Sequence, residues 1–441
     1  MSRPRIVIVG AGFAGYRAAR TLSRIARGAA EIVLVNPIDY FLYVPLLPEV
    51  ASGVLEARRV SVSLTGTLPG VRLLLGEADS IDLASRKVSL VDPECNRREI
   101  SYDRLLLAAG SVNKLLPIPG VTEHAHGFRG LPEAVYLHDH ITRQIELADT
   151  AESAAERDAR CTFVVVGAGY TGTEVAAHGK LFTDELARRH PDLRDRKNPQ
   201  WMLLDVAPRV LPELAEHMSE TATRVLSRRG VDIRMGTSVK EATEEGVRLT
   251  DGSVVPTRSL IWCVGVRPDP LVSDLGLATD KGRLVVDEYL NVPGHPDVFA
   301  AGDAAAVPDL TRPGEVTPMT AQHAERQGQT VAYNIAASYG RAERRPYSHR
   351  DLGFVVDLGG AEAAANPLKV PLSGLAAKAV TRSYHLMAMP GNRIRTAADW
   401  LIDAVLPKDD VQLGLVRSDS VPLENSSPEL PVRLRSEKQS T

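Results

Sequence analysis

One pattern occurs twice in this chain and constrains it more than any other feature. Residues 5–15 read RIVIVGAGFAG and residues 162–172 read TFVVVGAGYTG. Each copy is a β-branched apolar run that ends in Gly-x-Gly-x-x-Gly and opens into a stretch of helical composition. Gly10, Gly12 and Gly15, then Gly167, Gly169 and Gly172, meet three separate demands. The first glycine of each set permits a tight turn, the second lets backbone approach a pyrophosphate, and the third allows a helix to pack closely on a strand. Phe13 and Ala14, and in the second copy Tyr170 and Thr171, begin the helices whose free N–H groups and partial positive charge would face the phosphates. A single such turn is common. Two copies about 157 residues apart, each between a strand and a helix, imply one chain that binds two dinucleotides.

In each copy a second strand follows, Glu31–Val35 ending at Asn36 and Trp201–Leu204 ending at Asp205. The residue at that strand end normally hydrogen-bonds the adenosine ribose. Asp205 suits a free 2′-hydroxyl and would repel a 2′-phosphate, which favours NADH over NADPH. Asn36 can donate or accept, but without the strength of a charged partner. Residues 78–91 read as a hairpin beginning at Ala78, and Tyr102–Ala109 as a buried strand ending at Gly110. Residues 137–160 are helical and charged, a crossing into the second domain. Ser259–Val264 ends at Gly265, and Asp297–Ala301 ends at Gly302-Asp303 with a small-residue helix start behind it. A carboxylate at such a strand end binds a polyol or caps a helix, and both readings stay open.

Composition narrows the function classes. Fifty-two basic and 55 acidic side chains leave a net charge of −3, so no global affinity for nucleic acid is expected. Cys95, Cys161 and Cys263 are too few and too far apart for a disulfide framework, a redox dithiol or a thiolate metal site, and no metal is expected. Three reduced thiols suit a cytosolic compartment, and the N-terminus lacks the pattern of a secretory signal. No uninterrupted 18-residue apolar run predicts a membrane-spanning helix.

Lying on a membrane is a different matter. Between Glu362 and Asp399 there is no acidic residue, while Lys369, Lys378, Arg382, Arg393 and Arg395 are basic. Ile394, Ala397, Leu401, Ala404 and Val405 recur at helical spacing, with Trp400 beside them. A basic amphipathic helix with a boundary tryptophan suits an anionic membrane surface. The alternative is a helix packed on the protein's own core. From about residue 417 Ser, Pro, Glu and Arg dominate, which predicts a disordered tail over 411–441.

Taken in order, these segments resemble the two-dinucleotide-binding flavoprotein oxidoreductases, and among them the type II NADH dehydrogenases, which are non-proton-pumping NADH:quinone oxidoreductases. The likeness runs from about residue 4 to about 410. It rests on the two glycine motifs, PIDYFLYVPLLPEVASG at 37–53, YDRLLLAAGS at 102–111 and APRVLPELAEHMSE at 207–220. LIWCVGVRP at 260–268, PGHPDVFAAGDAAAV at 293–307 and AQHAERQG at 321–328 complete it. The resemblance implies an α/β fold with two Rossmann-like domains: an FAD domain over 1–115 and 276–345, split by an NADH domain over 116–275. A membrane or interface region over 346–410 would follow. It implies that Asp303 holds the FAD ribityl chain, that Glu174 lies near nicotinamide and flavin, and that Ala321 and Gln322 lie beside the flavin on the quinone side. Ala78, Ala109, Gly110, Gly302 and Gly265 join the cofactor-binding set. His385, Asn392, Arg393 and Trp400 match the family's membrane-docking region.

The implied reaction passes a hydride from NADH to FAD and two electrons to a membrane quinone, with Glu174 and Gln322 as the catalytic candidates. Glu174 would hold the carboxamide or relay a proton; its other reading is a carboxylate favoured by a helix start. The expected setting is peripheral, on the cytoplasmic face of the cell membrane, and is compatible with a homodimer. Paired cysteines over the flavin, needed by sulfide:quinone oxidoreductases, are absent from the pattern, and Cys161 and Cys263 read as packing residues. Three positions depart from the family: Asn36 for an acid, Ala109 for a threonine, and Arg326 for a glutamine. Arg326 leaves room for a soluble NADH-dependent flavoprotein reductase with a protein or metabolite acceptor.

Overall fold

The computed structural model describes residues 3–194, 199–349, 352–406 and 410–423. Two parallel sheets carry the two glycine motifs. In the first, strand Arg5–Val9 lies between Glu31–Asn36 and Arg104–Leu107, with Val71–Leu75 beyond Glu31–Asn36. Strand His295–Ala300 comes from far along the chain and pairs in parallel with Arg104–Leu107, Val298 opposite Leu105. In the second sheet, Thr162–Val166 lies between Gln200–Asp205 and Ser259–Trp262, flanked by Asp232–Met235 and Ala125–Gly127. Strands buried on both faces must be apolar throughout, and Ile6, Val7, Ile8, Phe163, Val164 and Val165 are all fully buried. Each contributes about 1.5–3 kcal/mol relative to an exposed side chain.

The repeat in sequence is a repeat in space. Gly10 (φ +94°) and Gly167 (φ +106°) take the left-handed turn after their strands. A Cβ at Gly10 would lie 2.2 Å from the Ala108 carbonyl oxygen, and one at Gly167 would lie 2.1 Å from that of Cys263. A Cβ at Gly15 or at Gly172 would strike the oxygen of the first glycine of its own motif at 1.8 Å. These positions admit no side chain. Helix Phe13–Ala26 and helix Tyr170–Arg189 start immediately after the turns.

Several expectations are refined. The hairpin over 78–91 forms as Glu77–Asp82 against Lys87–Val91. The helical crossing divides into Leu131–Asp149 and Ala154–Arg160. Behind Asp303 there is only a 3₁₀ turn, Gly302–Ala304; the next long helix is Ala321–Ala337. The tail is not loose over its first part. Asp139 accepts hydrogen bonds from the Leu413 and Gly414 amides at 3.2 and 2.8 Å, Asn113 donates to the Leu423 carbonyl, and Leu423 is buried against the second sheet. Three anchors from distant elements order a segment whose composition alone would not. Residues 424–441 of the expected tail lie outside the described residues.

Candidate active site

A cavity of about 580 Å³ opens between the two sheets. Its wall includes Gly10, Gly12, Phe13 and Ala14 from the first motif, Asn36 and Ala78 beside them, and Ala109, Gly110, Gly302 and Asp303. Ala321 and Gln322, and Tyr170, Thr171 and Glu174 from the second motif's helix, complete the predicted residues that line it. Gly15 lies behind the wall as packing. A Cβ placed on Gly12 would meet nothing within 4 Å, so open space faces the second glycine. Helix Phe13–Ala26 has no side-chain cap and no acidic residue in its first turn. Its first N–H groups therefore lack an internal partner, as a helix start that receives an anion requires. These features fit the pyrophosphate of FAD.

Asn36 does not offer itself freely to a ribose. Its Oδ1 accepts from the Ala11 amide at 2.8 Å and its Nδ2 donates to the Ile38 carbonyl at 2.8 Å, so it also braces the glycine turn. Asp303 is not a helix cap. Its Oδ2 accepts a 2.7 Å hydrogen bond from the Ser111 hydroxyl, and it lines the cavity. Burial raises its pKa, opposed by Ser111 and by the Arg283 charge. Ser111 thus supplies a hydroxyl two residues beyond Ala109. Gln327, which the sequence analysis did not single out, fixes this turn: its Oε1 accepts from the Gly302 amide at 2.7 Å while its Nε2 donates to Thr317. Gly328 lets its helix touch the first one, because a Cβ there would lie 2.2 Å from the Ala14 oxygen.

Gly167, Gly169, Gly172, Asp205 and Gly265 do not line this cavity. They form a second turn built like the first. Asp205 accepts from the Ala168 amide at 2.6 Å and the Ala207 amide at 2.8 Å, the counterpart of Asn36. Gly169 and Gly265 again face open space. Arg209, the basic residue nearest to Asp205 in sequence, is held by the carbonyls of Leu211, Pro212 and Leu214. Cys263 packs under this turn, and burial pushes its thiol pKa up to about 12. Cys161 is buried too, with its thiol pushed up to about 11. Neither is a thiolate nucleophile at neutral pH.

Glu174 joins the second motif to the cavity. It is not in the first turn of its helix, and its Oε1 accepts from the Asp357 amide at 2.9 Å. Burial, and then the charges of Asp357 and Glu49, raise its pKa well above the usual carboxylate range, which favours the neutral acid. Behind it lies a cluster that sequence reasoning missed. Ligand atoms of Glu49, His178 and Asp357 lie within 4.8 Å of one another, and the cation among them is the Lys378 ammonium, 2.6 Å from both oxygens of Asp357. Burial would raise Asp357, but the hydrogen bond and charge of His178, and then Lys378, outweigh it and hold the carboxyl well below its usual range. The signal was an acid in an apolar run (LPEVA) and a lysine among small residues (LAAKAV).

The C-terminal helices divide their faces between protein and solvent. Tyr384 and His385 of helix Gly374–Ala388 line the cavity, and His385 meets the Tyr43 hydroxyl at 3.1 Å. Burial pushes the His385 pKa down to about 4, so its ring is neutral. Two expectations are corrected here. Lys378 is buried in its ion pair and does not face a membrane. Trp400 is not at a lipid boundary: it is buried, and its indole N–H donates to Glu49 Oε2. Asn392 and Arg393 are structural, Asn392 donating to three carbonyls of 58–61 and Arg393 to those of Met387 and Met389. On helix Arg393–Asp403 and just beyond it, Ile394, Leu401 and Val405 are exposed by 87%, 68% and 75%. Among the described residues no helix is long and apolar enough to cross a membrane. Gln322 donates to the Gly353 carbonyl at 2.9 Å and leaves its Oε1 buried without a partner among the described residues. Arg326 is off the cavity wall and meets the His349 ring nitrogen at 2.6 Å.

The arrangement has relatives. The profile of the pyridine nucleotide-disulphide oxidoreductase family matches residues 4–328. The chain is 30% identical to the type II NADH:quinone oxidoreductase Ndh of Mycobacterium tuberculosis, over 91% of this chain and 88% of that one. It is 31% identical to NdhA of the same organism, also a type II NADH:quinone oxidoreductase, over 90% and 86%. In fold it is similar to NDH2 of Plasmodium falciparum, solved in complex with NADH, with a TM-score of 0.86 at 16% identity, covering 93% of this chain and all of that one. The chain therefore belongs to the pyridine nucleotide-disulphide oxidoreductases and, within them, to the type II NADH:quinone oxidoreductases.

Proposed function

We propose that this protein transfers electrons from NADH, through non-covalently bound FAD, to a membrane quinone without pumping protons. The observation that carries this reading is that one cavity wall brings together Gly10–Ala14 and Asp303 with Tyr170, Thr171, Glu174 and Gln322. FAD, when bound, accepts a hydride from NADH and passes two electrons on. The chain's own residues do the rest. The open space at Gly12 and the uncapped helix start receive the pyrophosphate, and Asp303, steadied by Ser111 and Gln327, receives the polyol. Asp205 receives the NADH ribose. Gln322 presents its unpartnered Oε1 towards the acceptor side. Glu174, whose burial favours the neutral acid, is placed to donate a proton.

The exposed apolar face through Ile394, Leu401 and Val405, flanked by Arg393 and Arg395, supports an acceptor that arrives from lipid. This reading makes the protein peripheral on the cytoplasmic face of the cell membrane. The test is to purify the protein and measure NADH oxidation with a soluble quinone analogue, with and without anionic liposomes. A yellow protein whose turnover with a long-chain quinone rises on liposomes is the expected result. A colourless protein that cannot be reconstituted with FAD, or one that reduces no quinone, overturns the reading.

A further inference from the structure

NADH carries two electrons and one hydrogen, whereas a quinol needs two electrons and two protons. The balance is NADH + H⁺ + quinone → NAD⁺ + quinol, so one proton must come through the protein. Glu174 stands at the cavity, but it is buried, and once it has given its proton it has to be recharged from somewhere. The cluster behind it offers one further carboxyl that is not already held as an ion.

That carboxyl is Glu49, 1% exposed, on the short helix Leu47–Ala51 whose Leu47 and Pro48 line the cavity. Its Oε2 accepts from the Trp400 indole, while its Oε1 has no hydrogen-bond partner among the described residues. A buried carboxylate with one bare oxygen is costly, and the neutral acid far less so. The groups bearing on it come from three packed elements. Asp357 is on strand Val355–Asp357, Lys378 and Arg382 on helix Gly374–Ala388, and Glu174 and His178 on helix Tyr170–Arg189. Trp400 adds an uncharged donor from helix Arg393–Asp403. We propose that Glu49 is a buried proton store for the acceptor step and that Trp400 is its positioning residue, so that seating of helix Arg393–Asp403 tunes delivery of the proton NADH does not bring. The inference rests on the functional reading above and deepens it.

Electrostatics agree with the geometry. Burial and then the Asp357 charge raise Glu49 to about 7, against the opposing pull of Lys378, Trp400 and Arg382. A group that stores and releases a proton works best with its pKa near the operating pH. The seat is mechanically defined as well. Trp400 points inward beneath the Arg382 guanidinium, 4.9 Å from its ring centre, and the adjacent Asp399 is tied to Arg59 at 2.8 Å. The opposite face of the same helix is the exposed apolar one, so a lipid surface that loads the helix acts on Glu49 through Trp400.

Glu49→Gln keeps the shape and an acceptor for Trp400 but cannot titrate; Trp400→Phe keeps a ring but removes the N–H. Both are made in the full-length, FAD-loaded protein, with flavin content and Tm as checks on folding. The infrared band of a protonated carboxyl is followed through a pH titration. The component that fades around pH ~7 in the wild type should be missing from Glu49→Gln, whatever signal Glu174 contributes, and should fade at higher pH in Trp400→Phe, where a donor favouring the ionised form is gone. In stopped flow, flavin reduction by NADH should be unchanged in Glu49→Gln. Reoxidation by a soluble quinone analogue should be about tenfold slower and lose its pH dependence near neutrality. A wild-type-like reoxidation profile in Glu49→Gln, or an unshifted band in Trp400→Phe, overturns this inference and leaves the functional reading standing. Failure of the wild type itself to pass electrons to quinone overturns both.

Discussion

The Ser111 hydroxyl donates a 2.7 Å hydrogen bond to Asp303 Oδ2 across 192 positions of sequence. It joins the segment that follows strand Arg104–Leu107 to the turn that follows strand His295–Ala300, its neighbour in the first sheet. Asp303→Ala should release FAD, because a hydrogen-bonding carboxylate contributes about 1.5–3 kcal/mol to a polar partner. Ser111→Ala should act in the same direction but more weakly, by leaving the carboxyl buried with one partner fewer. Flavin absorbance retained after gel filtration measures both.

Asp205 should make NADH the preferred donor. A 2′-phosphate beside its carboxylate would be repelled by a few kcal/mol, on the order of 3 at an effective dielectric near 20. Arg209 cannot turn to offset this without leaving three carbonyls. The ratio of kcat/KM for NADH over NADPH should exceed about a hundredfold. In Asp205→Asn it should shrink, mostly by a gain with NADPH. Equal values in the wild type would mean that Asp205 does not face the ribose.

The exposed helix face should carry membrane binding. Replacing Ile394, Leu401 and Val405 together by serine removes about 1.5–3 kcal/mol of potential burial at each position. Liposome co-sedimentation should drop more than tenfold while Tm and flavin reduction by NADH stay unchanged, since these side chains contact solvent in the free protein. High salt should weaken what remains through Arg393 and Arg395. Truncation before Lys378 is a poorer test. It would leave Asp357 buried without its Lys378 partner, at a cost of about 3–5 kcal/mol.

Glu49 predicts the sign of a pH dependence in stability. Its carboxyl goes from an ordinary 4.5 to about 7 on folding, so in that window the folded chain holds more protons than the unfolded one. Its contribution is therefore present below about pH 4.5 and is lost as pH rises to about 7. At 1.36 kcal/mol for each pH unit, the loss is on the order of 3 kcal/mol. Urea unfolding of the wild type and Glu49→Gln across that range should give a difference that shrinks in this direction. A constant difference would refute it.

The glycine repeat alone dictated much of the architecture. A β-branched run, a turn that only glycine can make and a helix packed against backbone leave one local structure open. Both copies adopt it down to the 1.8 Å clash that a Cβ at Gly15 or Gly172 would cause. Asp205 at its strand end and Asp303 after Gly302 were legible for the same reason, because short-range sequence sets their backbone. The charge cluster was not. Glu49, His178, Asp357 and Lys378 sit on four elements, and each alone reads as an acid, a histidine or a lysine in an ordinary helix or strand. The C-terminal helices carried the same ambiguity: periodicity identified an apolar face, but it could not tell that Trp400 and Lys378 turn inward while Ile394 and Leu401 stay in solvent. Which side of an amphipathic helix meets the protein depends on what the protein offers there. A buried carboxyl at Glu49 and a buried ion pair between Asp357 and Lys378 exist only once the two sheets and their helices have come together.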